Sequence, residues 1–236
     1  MDSLYIVMPA YNEEANIEQV IREWYPQLEG KGERSRLVIA DSGSADRTDS
    51  IIRSLQKDMP KLEILGDTDR QHGPKVLALY RYAMEKQADF VFQTDSDGQT
   101  AAEEFVAFWD LREQYDGIFG CRTARGDGKS RALVECVVCF MLRLYFGVRV
   151  PDANAPFRLM RTAVLARYTG KLPADYALPN IMLTAWFAHE KERITFREIT
   201  FRPRQGGTNS INIRRTLGIG RQALKDFRRF RKDMRS

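Results

Sequence analysis

Short apolar runs and amphipathic segments alternate through the first half of the chain. The strand-like runs are residues 4–8, 36–40, 62–65, 89–94 and 117–120. The segments with helical spacing are residues 13–24, 46–57, 74–86 and 101–114. Asn12 is the expected N-cap of the first helix, and Pro74 lies in the first turn of the third. This βαβα order predicts an α/β fold, in which helices cover both faces of a mostly parallel, Rossmann-like sheet.

The second half of the chain is less regular. Helices are expected at residues 131–146 and 180–189, a strand at 194–201, and a turn-rich segment at 152–158. No internal repeat or low-complexity linker divides the chain. We therefore expect one main domain over residues 1–210 and a C-terminal extension over residues 211–236.

Two carboxylates directly behind the run 89–94 are the strongest functional signal. Asp95 and Asp97 lie two residues apart, where mutual repulsion and desolvation are unfavourable unless a cation neutralises both. Hard divalent ions such as Mg²⁺ or Mn²⁺ take oxygen ligands and share them with substrate phosphates, and Gln99 offers a further amide oxygen. The alternative is a solvated Asp-rich turn with Gly98 at positive φ.

Polar, acid-bearing loops follow three of the predicted strands. They are residues 9–13, 41–44 and 95–97. Because ligands of parallel α/β sheets bind beyond the carboxyl ends of the strands, we expect these loops to form one site. Neither GxGxxG nor GxxxxGK[ST] occurs in the sequence, so a dinucleotide or P-loop site is not supported.

Positive charge is concentrated at the end of the chain. The net charge is +5, yet residues 211–236 alone carry nine Lys or Arg against two Asp. An apolar stripe at helical spacing runs through the same segment: Ile213, Leu217, Leu224, Phe227, Phe230 and Met234. A basic amphipathic helix is typical of binding to an anionic membrane surface. Docking of the stripe on the domain stays open as an alternative, whereas no motif supports nucleic-acid binding.

The cysteine count and the apolar runs bear on the compartment. Three cysteines favour a reducing environment over a disulfide framework, and two histidines do not support zinc. Residues 4–8 read as a strand and not as part of a leader. The apolar stretch 132–148 is interrupted by Glu135 and Arg143, which disfavours a membrane span. We expect a cytoplasmic protein that binds the cytoplasmic face of the membrane peripherally.

Several segments, taken in order, carry a family resemblance. They are Pro9-Ala10-Tyr11-Asn12-Glu13-Glu14, residues 40–48 (ADSGSADRT), Asp95-Ser96-Asp97-Gly98-Gln99, Gly120-Cys121-Arg122, Asp152, Pro156-Phe157-Arg158 and Arg204-Gln205-Gly206-Gly207. Together they resemble the family 2 inverting glycosyltransferases of GT-A fold, closest to the dolichol- and polyprenyl-phosphate sugar transferases. The match runs over residues 4 to 210.

The resemblance implies a set of site residues. The nucleotide-sugar donor, UDP- or GDP-linked, would contact Pro9, Tyr11, Glu13, Asp41, Asp95 and Ser96. Mg²⁺ or Mn²⁺ would be held by Asp95, Asp97 and Gln99. Arg122, Arg131 and Arg204 would bind the phosphate of a polyprenyl phosphate acceptor, and Asp97, Arg122 and Arg204 would be the catalytic residues. Arg125 is a further candidate for the acceptor phosphate.

Departures from the family pattern keep other acceptors open. Ser42 replaces an acidic residue, and Asn209-Ser210 stands where Ser-Lys is frequent. A phosphate acceptor is already an anion and needs no base, whereas a saccharide hydroxyl would need one, for which Asp152 and Asp175 are candidates. The alternatives are therefore a saccharide or cell-envelope polymer acceptor and, with less support, a non-catalytic protein that binds nucleotide sugars.

Overall fold

Seven strands form one sheet in the computed structural model, which describes residues 1–122, 129–203 and 213–233. They are β1 (Leu4–Ala10), β2 (Arg36–Asp41), β3 (Leu62–Leu65), β4 (Phe90–Gln93), β5 (Gly117–Cys121), β6 (Arg158–Arg161) and β7 (Ile194–Glu198). Their order across the sheet is β3-β2-β1-β4-β6-β5-β7. All neighbours are parallel except β6, which is antiparallel to both β4 and β5. The expected mostly parallel α/β sheet is thus confirmed.

Helices separate the strands. They are α1 (Ile17–Trp24), α2 (Thr48–Gln56), α3 (His72–Glu85), α4 (Phe105–Trp109), α5 (Lys129–Phe146), α6 (Thr162–Thr169), α7 (Pro179–His189) and α8 (Ile213–Asp233), with short 3₁₀ turns at Tyr25–Leu28 and Ala102–Glu104. Among the described residues, no helix is both long and apolar enough to cross a membrane.

The interior strand β1 is apolar throughout because both of its faces are covered. Leu4, Ile6 and Met8 belong to the core on one side of the sheet, and Tyr5 and Val7 belong to the core on the other side. A strand buried on both faces reads as a continuous apolar run without polar alternation. The strand also marks where the chain order reverses, since β2 pairs on one side and β4 on the other. Such a switch point is where α/β sheets bind ligands.

The first helix begins later than its sequence pattern predicts. Residues 13–24 were expected to be helical from an Asn12 cap, but α1 starts at Ile17 and its N-cap is Asn16. Asn12 has a φ of 53°, in the left-handed region that Asn tolerates, and its side-chain oxygen accepts the Ala45 N–H at 2.8 Å. The polar groups of this segment are committed to the neighbouring loop, so the expected cap was wrong.

Residues 158–169 form a strand and a helix that the sequence analysis did not predict. They are β6 and α6. Arg158 is the reason that the strand was not predicted, because a charged residue is rarely fully buried. Here its guanidinium lies at 0% exposure and donates to the carbonyl oxygens of Ala155 (2.9 Å), Asn180 (3.1 Å) and Ala153 (3.3 Å).

Other boundaries also differ from the predictions. The expected helix 101–114 reduces to a 3₁₀ turn and the five-residue α4. The expected strand 194–201 ends at Glu198, beyond which Phe201 makes an isolated bridge to Thr100. The helices predicted at 74–86 and 180–189 occur, with small shifts at their ends.

The basic tail contains α8, whose apolar side packs on the domain. Phe227 contacts the rings of Tyr145 and Phe146, and Phe230 contacts those of Tyr176 and Trp186. Both Phe side chains are at most 3% exposed. Of the two readings of this stripe, the structure therefore favours docking, at least for its second half, and leaves the charged side of the helix toward solvent.

Candidate functional site

A cavity of about 230 Å³ opens beyond the carboxyl end of β4. Its walls come from six separate stretches of the chain. The lining residues are His72, Asp95, Asp97, Gln99, Arg122, Asn154, Pro156, Ala177, Leu178, Pro179, Asn180 and Phe201. The three residues proposed as metal ligands and Arg122 thus meet in one place.

Asp95 is held at the cavity wall by a polar network. Its Oδ1 lies 3.2 Å from His72 Nε2 and 3.4 Å from Gln93 Nε2. Gln93 is fully buried and accepts a hydrogen bond from Asn180 Nδ2 at 2.9 Å through its own side-chain oxygen. Such a network fixes the direction of the Asp95 carboxylate before any ligand arrives.

The turn after Asp97 depends on a glycine. Gly98 has a φ of +72°, which L-residues other than Gly rarely adopt, and this lets the Gln99 N–H return to Asp97 Oδ1 at 3.1 Å. Gln99 is buried, and its Nε2 donates to Arg202 O at 2.7 Å. That bond uses only the nitrogen of the Gln99 amide, so its oxygen stays available as a ligand.

The donor set fits a hard divalent cation. Two carboxylates and an amide oxygen line one cavity, and oxygen ligands are what Mg²⁺ and Mn²⁺ prefer. Within the described residues, no group of three or more His, Cys, Asp or Glu side chains has the arrangement of a metal cage.

The loops after β1 and β2 are joined to each other. Glu13 N–H donates to Thr48 Oγ1 at 2.8 Å, and Glu14 N–H donates to Asp46 Oδ2 at 3.1 Å. Glu13 itself is buried and accepts the side-chain amide of Asn16 at 3.0 Å. Its surroundings therefore assign it a part in holding the loop, while its contact with a donor stays a prediction.

Ser96 and Pro9 connect this pair of loops to the Asp95 turn. The Ser96 hydroxyl donates to Pro9 O at 2.9 Å, and Ser96 is 3% exposed. The three predicted loops therefore do converge at one edge of the sheet. The Ser96 hydroxyl donates to the backbone of β1, and its contact with a donor stays a prediction.

Lys75 is a buried cation between the same loops. Its Nζ donates to the carbonyl oxygens of Ala10 (2.5 Å) and Ser42 (3.2 Å), and lies 5.3 Å from the centre of the Tyr11 ring. Tyr11 is about half exposed, so its ring remains accessible for stacking. Burial raises the pKa of Asp41, while a hydrogen bond from Ser44 and the charge of Lys75 oppose that rise. Tyr11, Lys75 and Asp41 thus lie close together, with Lys75 and Asp41 buried and only the Tyr11 ring half exposed.

We predict that Lys75→Met makes stability fall more steeply with rising pH. A carboxyl whose pKa is raised by folding destabilises the protein as pH climbs from its ordinary value near 4 through the raised pKa. The positive charge of Lys75 lowers the Asp41 pKa, so its removal should raise that pKa further. Stability should then be lost over a pH range that extends to higher pH. Urea unfolding at several pH values, with ¹³C NMR titration of the Asp41 carboxyl, measures this. An unchanged Asp41 titration would contradict it.

Arg122 lies in an ion-pair cluster. It makes paired bonds to Asp152, with Nε–Oδ2 at 2.8 Å and Nη2–Oδ1 at 2.9 Å, and Nη2 lies 3.4 Å from Glu135 Oε2. Burial opposes the ionised form of Asp152, but the hydrogen bonds and charge of Arg122 outweigh it and hold the pKa of Asp152 below its usual range. Burial and the charge of Asp152 raise the pKa of Glu135.

This cluster bears on both acceptor hypotheses. With its pKa lowered, Asp152 is a weak general base, and Asp175 is exposed and does not line the cavity. Arg122 reaches the cavity, but two of its donors are directed at Asp152. Arg125 and Arg204 lie outside the described residues, as does the side chain of Arg131. Their contact with an acceptor phosphate stays a prediction.

Sequence reasoning missed three residues at the site: His72, Lys75 and Asn180. His72 and Lys75 stand at the start of α3, which follows β3 at the same edge as the three acidic loops. Their position after β3 could have identified them, because ligands bind beyond the carboxyl ends of parallel strands and β3 is one of these strands. Asn180, which supports Gln93, had no such signal, since it reaches the site from the start of α7.

Comparisons with known proteins agree with this architecture. The model of the family described as Glycosyl transferase family 2 matches residues 5–169. The undecaprenyl-phosphate 4-deoxy-4-formamido-L-arabinose transferase of Pseudomonas aeruginosa is 24% identical over 166 residues, covering 70% of this chain and 49% of that protein. Its counterpart in Shewanella sediminis is 25% identical over 169 residues, covering 70% and 50%. The chain spans about half the length of these curated relatives.

Solved structures share the fold. Glucosyl-3-phosphoglycerate synthase from Mycobacterium tuberculosis, crystallised with Mn²⁺, UDP-glucose and phosphoglyceric acid, superposes with a TM-score of 0.65 at 20% identity over 94% of this chain and 77% of that one. S. aureus TarS superposes with a TM-score of 0.59 at 18% identity, over 85% and 60%. The family match spans most of the sheet and the cavity-forming residues 95–99, and on this basis the chain belongs to glycosyl transferase family 2.

Proposed function

We propose that the chain is a metal-dependent inverting glycosyltransferase that moves a hexose from a nucleotide sugar to a polyprenyl phosphate at a membrane surface. The observation that carries the proposal is the meeting of Asp95, Asp97, Gln99 and Arg122 in one cavity at the switch point of the sheet. The relatives named as undecaprenyl-phosphate transferases support the acceptor. Neighbours of the same fold crystallised with Mn²⁺ or Mg²⁺ and UDP support the donor and the cation.

The donor nucleotide would lie beside Tyr11, Lys75 and Asp41. The half-exposed Tyr11 ring offers a stacking surface, and Asp41, which is 6% exposed, is the proposed acceptor of a hydrogen bond from the N–H of a base. Because the bond between Ser96 and Pro9 ties these loops to the Asp95 turn, the diphosphate of the same donor would extend toward the cavity.

The diphosphate would be held by Asp95, Asp97 and Gln99 through a divalent cation. These residues would hold the cation, and the cation would supply neutralisation of charge on the leaving diphosphate. The first turn of α3 borders the cavity through His72, so the positive end of the helix dipole also favours the diphosphate. The protein thus contributes fixed carboxylates, a helix terminus and a partly enclosed space to the departure of the nucleotide.

The ion pair of Asp152 with Arg122 favours a phosphate acceptor over a hydroxyl acceptor. A hydroxyl needs a base near the reacting carbon, whereas an acceptor phosphate attacks as an anion. Asp152 has its pKa lowered by Arg122 and is a poor proton acceptor. Arg122, Arg131 and Arg204 are the proposed contacts of the acceptor phosphate. A saccharide or cell-envelope polymer acceptor is the second candidate.

A turnover assay tests the proposal. Purified chain is incubated with UDP- or GDP-hexoses and Mn²⁺, with and without polyprenyl phosphate, and released nucleotide is measured. We expect release with one donor only, and only when the lipid phosphate is present. Donor binding without lipid-stimulated release would contradict the phosphate acceptor, and release stimulated by a saccharide would support the second candidate.

A further inference from the structure

The outward face of α5 carries an apolar row that nothing covers in the described structure. Val134, Val137, Phe140 and Leu144 recur at spacings of three and four and are 49% to 61% exposed. They make up four of the seven large hydrophobic side chains that are exposed among the described residues. The opposite side of the helix is buried through Leu142 and Phe146. Contiguous exposed apolar surface of this kind marks an interaction site.

Cations stand at one end of this row. Arg143 and Arg231 line a second cavity of about 290 Å³ together with Leu144 and His189. Arg231 Nε is buried and has no hydrogen-bond partner among the described residues. Since Arg143 and Arg231 lie in the last turns of α5 and α8, part of their charge complements the helix ends.

The docked tail enlarges the basic surface next to the row. With Phe227 and Phe230 packed on the domain, α8 exposes Lys225, Arg228, Arg229 and Lys232. An apolar row beside a cationic helix is complementary to a bilayer with anionic headgroups, where apolar side chains enter the interface and cations remain at the phosphate level.

We propose that the exposed face of α5, with Arg143, Arg231 and the basic side of α8, is the surface that docks the protein on an anionic phospholipid bilayer. This inference rests on the proposed function, to which it adds the contact surface. The apolar stripe of the tail, which the sequence suggested for this role, is instead the element that fixes the cations in place.

The same helix connects this surface to the cavity. Glu135, on α5, bonds to the Ala153 N–H at 2.8 Å and contacts Arg122 at 3.4 Å, and Arg122 lines the cavity. One side of α5 therefore borders the reaction site while the other meets the membrane.

Vesicle binding tests the surface without turnover. The full chain is floated with vesicles of phosphatidylcholine alone or mixed with phosphatidylglycerol, containing neither donor nor polyprenyl phosphate. We expect binding to the anionic vesicles that weakens with salt. Phe140→Ser/Leu144→Ser is expected to reduce it at least about tenfold, and Arg143→Gln/Arg231→Gln about fivefold per cation. Val106→Ser, a similarly exposed apolar residue on α4, is the matched control and should bind like the unmodified chain.

Two results would overturn the proposal. One is equal vesicle binding by Phe140→Ser/Leu144→Ser and Val106→Ser. The other is a concentration-dependent dimer, seen by analytical ultracentrifugation, that Phe140→Ser/Leu144→Ser abolishes, because the row would then be covered by a second copy.

Turnover on a short-chain, water-soluble prenyl phosphate separates this proposal from the proposed function. Loss of vesicle binding by Phe140→Ser/Leu144→Ser with retained turnover on that acceptor supports both. Vesicle binding by a chain that turns over no prenyl phosphate removes the proposed function and leaves the docking surface standing.

Discussion

Asp97→Asn is expected to lower kcat/KM by about 10³-fold or more while leaving the fold intact. The substitution keeps the shape of the side chain and removes the charge that a divalent cation requires. Stabilisation of a leaving diphosphate by a bound cation amounts to several kcal/mol, and each ~1.36 kcal/mol is a factor of ten in rate. Removal of divalent ions with EDTA should reduce the unmodified chain to the same level, and Mn²⁺ should restore it.

Binding measurements distinguish loss of the cation from damage to the protein. In calorimetric titrations, Asp97→Asn should bind Mn²⁺ in the presence of UDP far more weakly, with a melting temperature close to that of the unmodified chain. Asp58→Asn, an exposed carboxylate beyond the end of α2, is the matched control and should keep full activity. Activity of Asp97→Asn within tenfold of the control would mean that Asp97 does not hold the cation.

Arg122→Met is expected to destabilise the protein by about 3–5 kcal/mol, because it leaves the buried carboxylates of Asp152 and Glu135 without their shared cation. At roughly 2–4 °C per kcal/mol for a chain of this size, the melting temperature should fall by about 10 °C. Arg53→Met removes an exposed ion pair with Asp49 and serves as the control, with an expected loss of about 0–1 kcal/mol. Equal losses in the two variants would refute the structural role of Arg122.

A second substitution separates the structural role of Arg122 from a catalytic one. Adding Asp152→Asn to Arg122→Met removes one of the two unpaired charges and should recover part of the stability. If the recovered protein remains inactive, Arg122 also contacts the acceptor. The stabilisation by the Arg122–Asp152 pair should be present above about pH 4 and decline as pH falls further, since the pKa of Asp152 is lowered in the folded protein.

The sequence was sufficient for features that depend on chain order. Parallel strands end at the same edge of a sheet, where Tyr11, Asp95 and Asp97 follow a strand and Asp41 is the last residue of one. Their convergence was therefore predictable without knowing any contact. Strands β1, β2 and β4 were predictable because burial on both faces demands continuous apolar runs.

Features that depend on distant pairing were not predictable in this way. Arg122 pairs with Asp152, thirty residues further along the chain. Asp152 precedes the antiparallel strand β6, and a repeating βαβ pattern contains no such strand. Strand β6 also holds the fully buried Arg158, whose partners are backbone carbonyls and therefore cannot be recognised from residue types in the sequence. The docking of α8 likewise depends on ring contacts with Tyr176 and Trp186.

The interior position of β1, between β2 and β4, has a consequence for biosynthesis. Its neighbour β4 follows much later in the chain, and the contact that closes this pair, between Ser3 and Asp89, spans 86 residues. At roughly 5–20 residues per second, a ribosome needs about 4–17 s to make that stretch. During this interval one edge of a wholly apolar strand has no partner, which exposes the nascent chain to aggregation. Slower translation between β1 and β4 should therefore increase the dependence of soluble yield on chaperones.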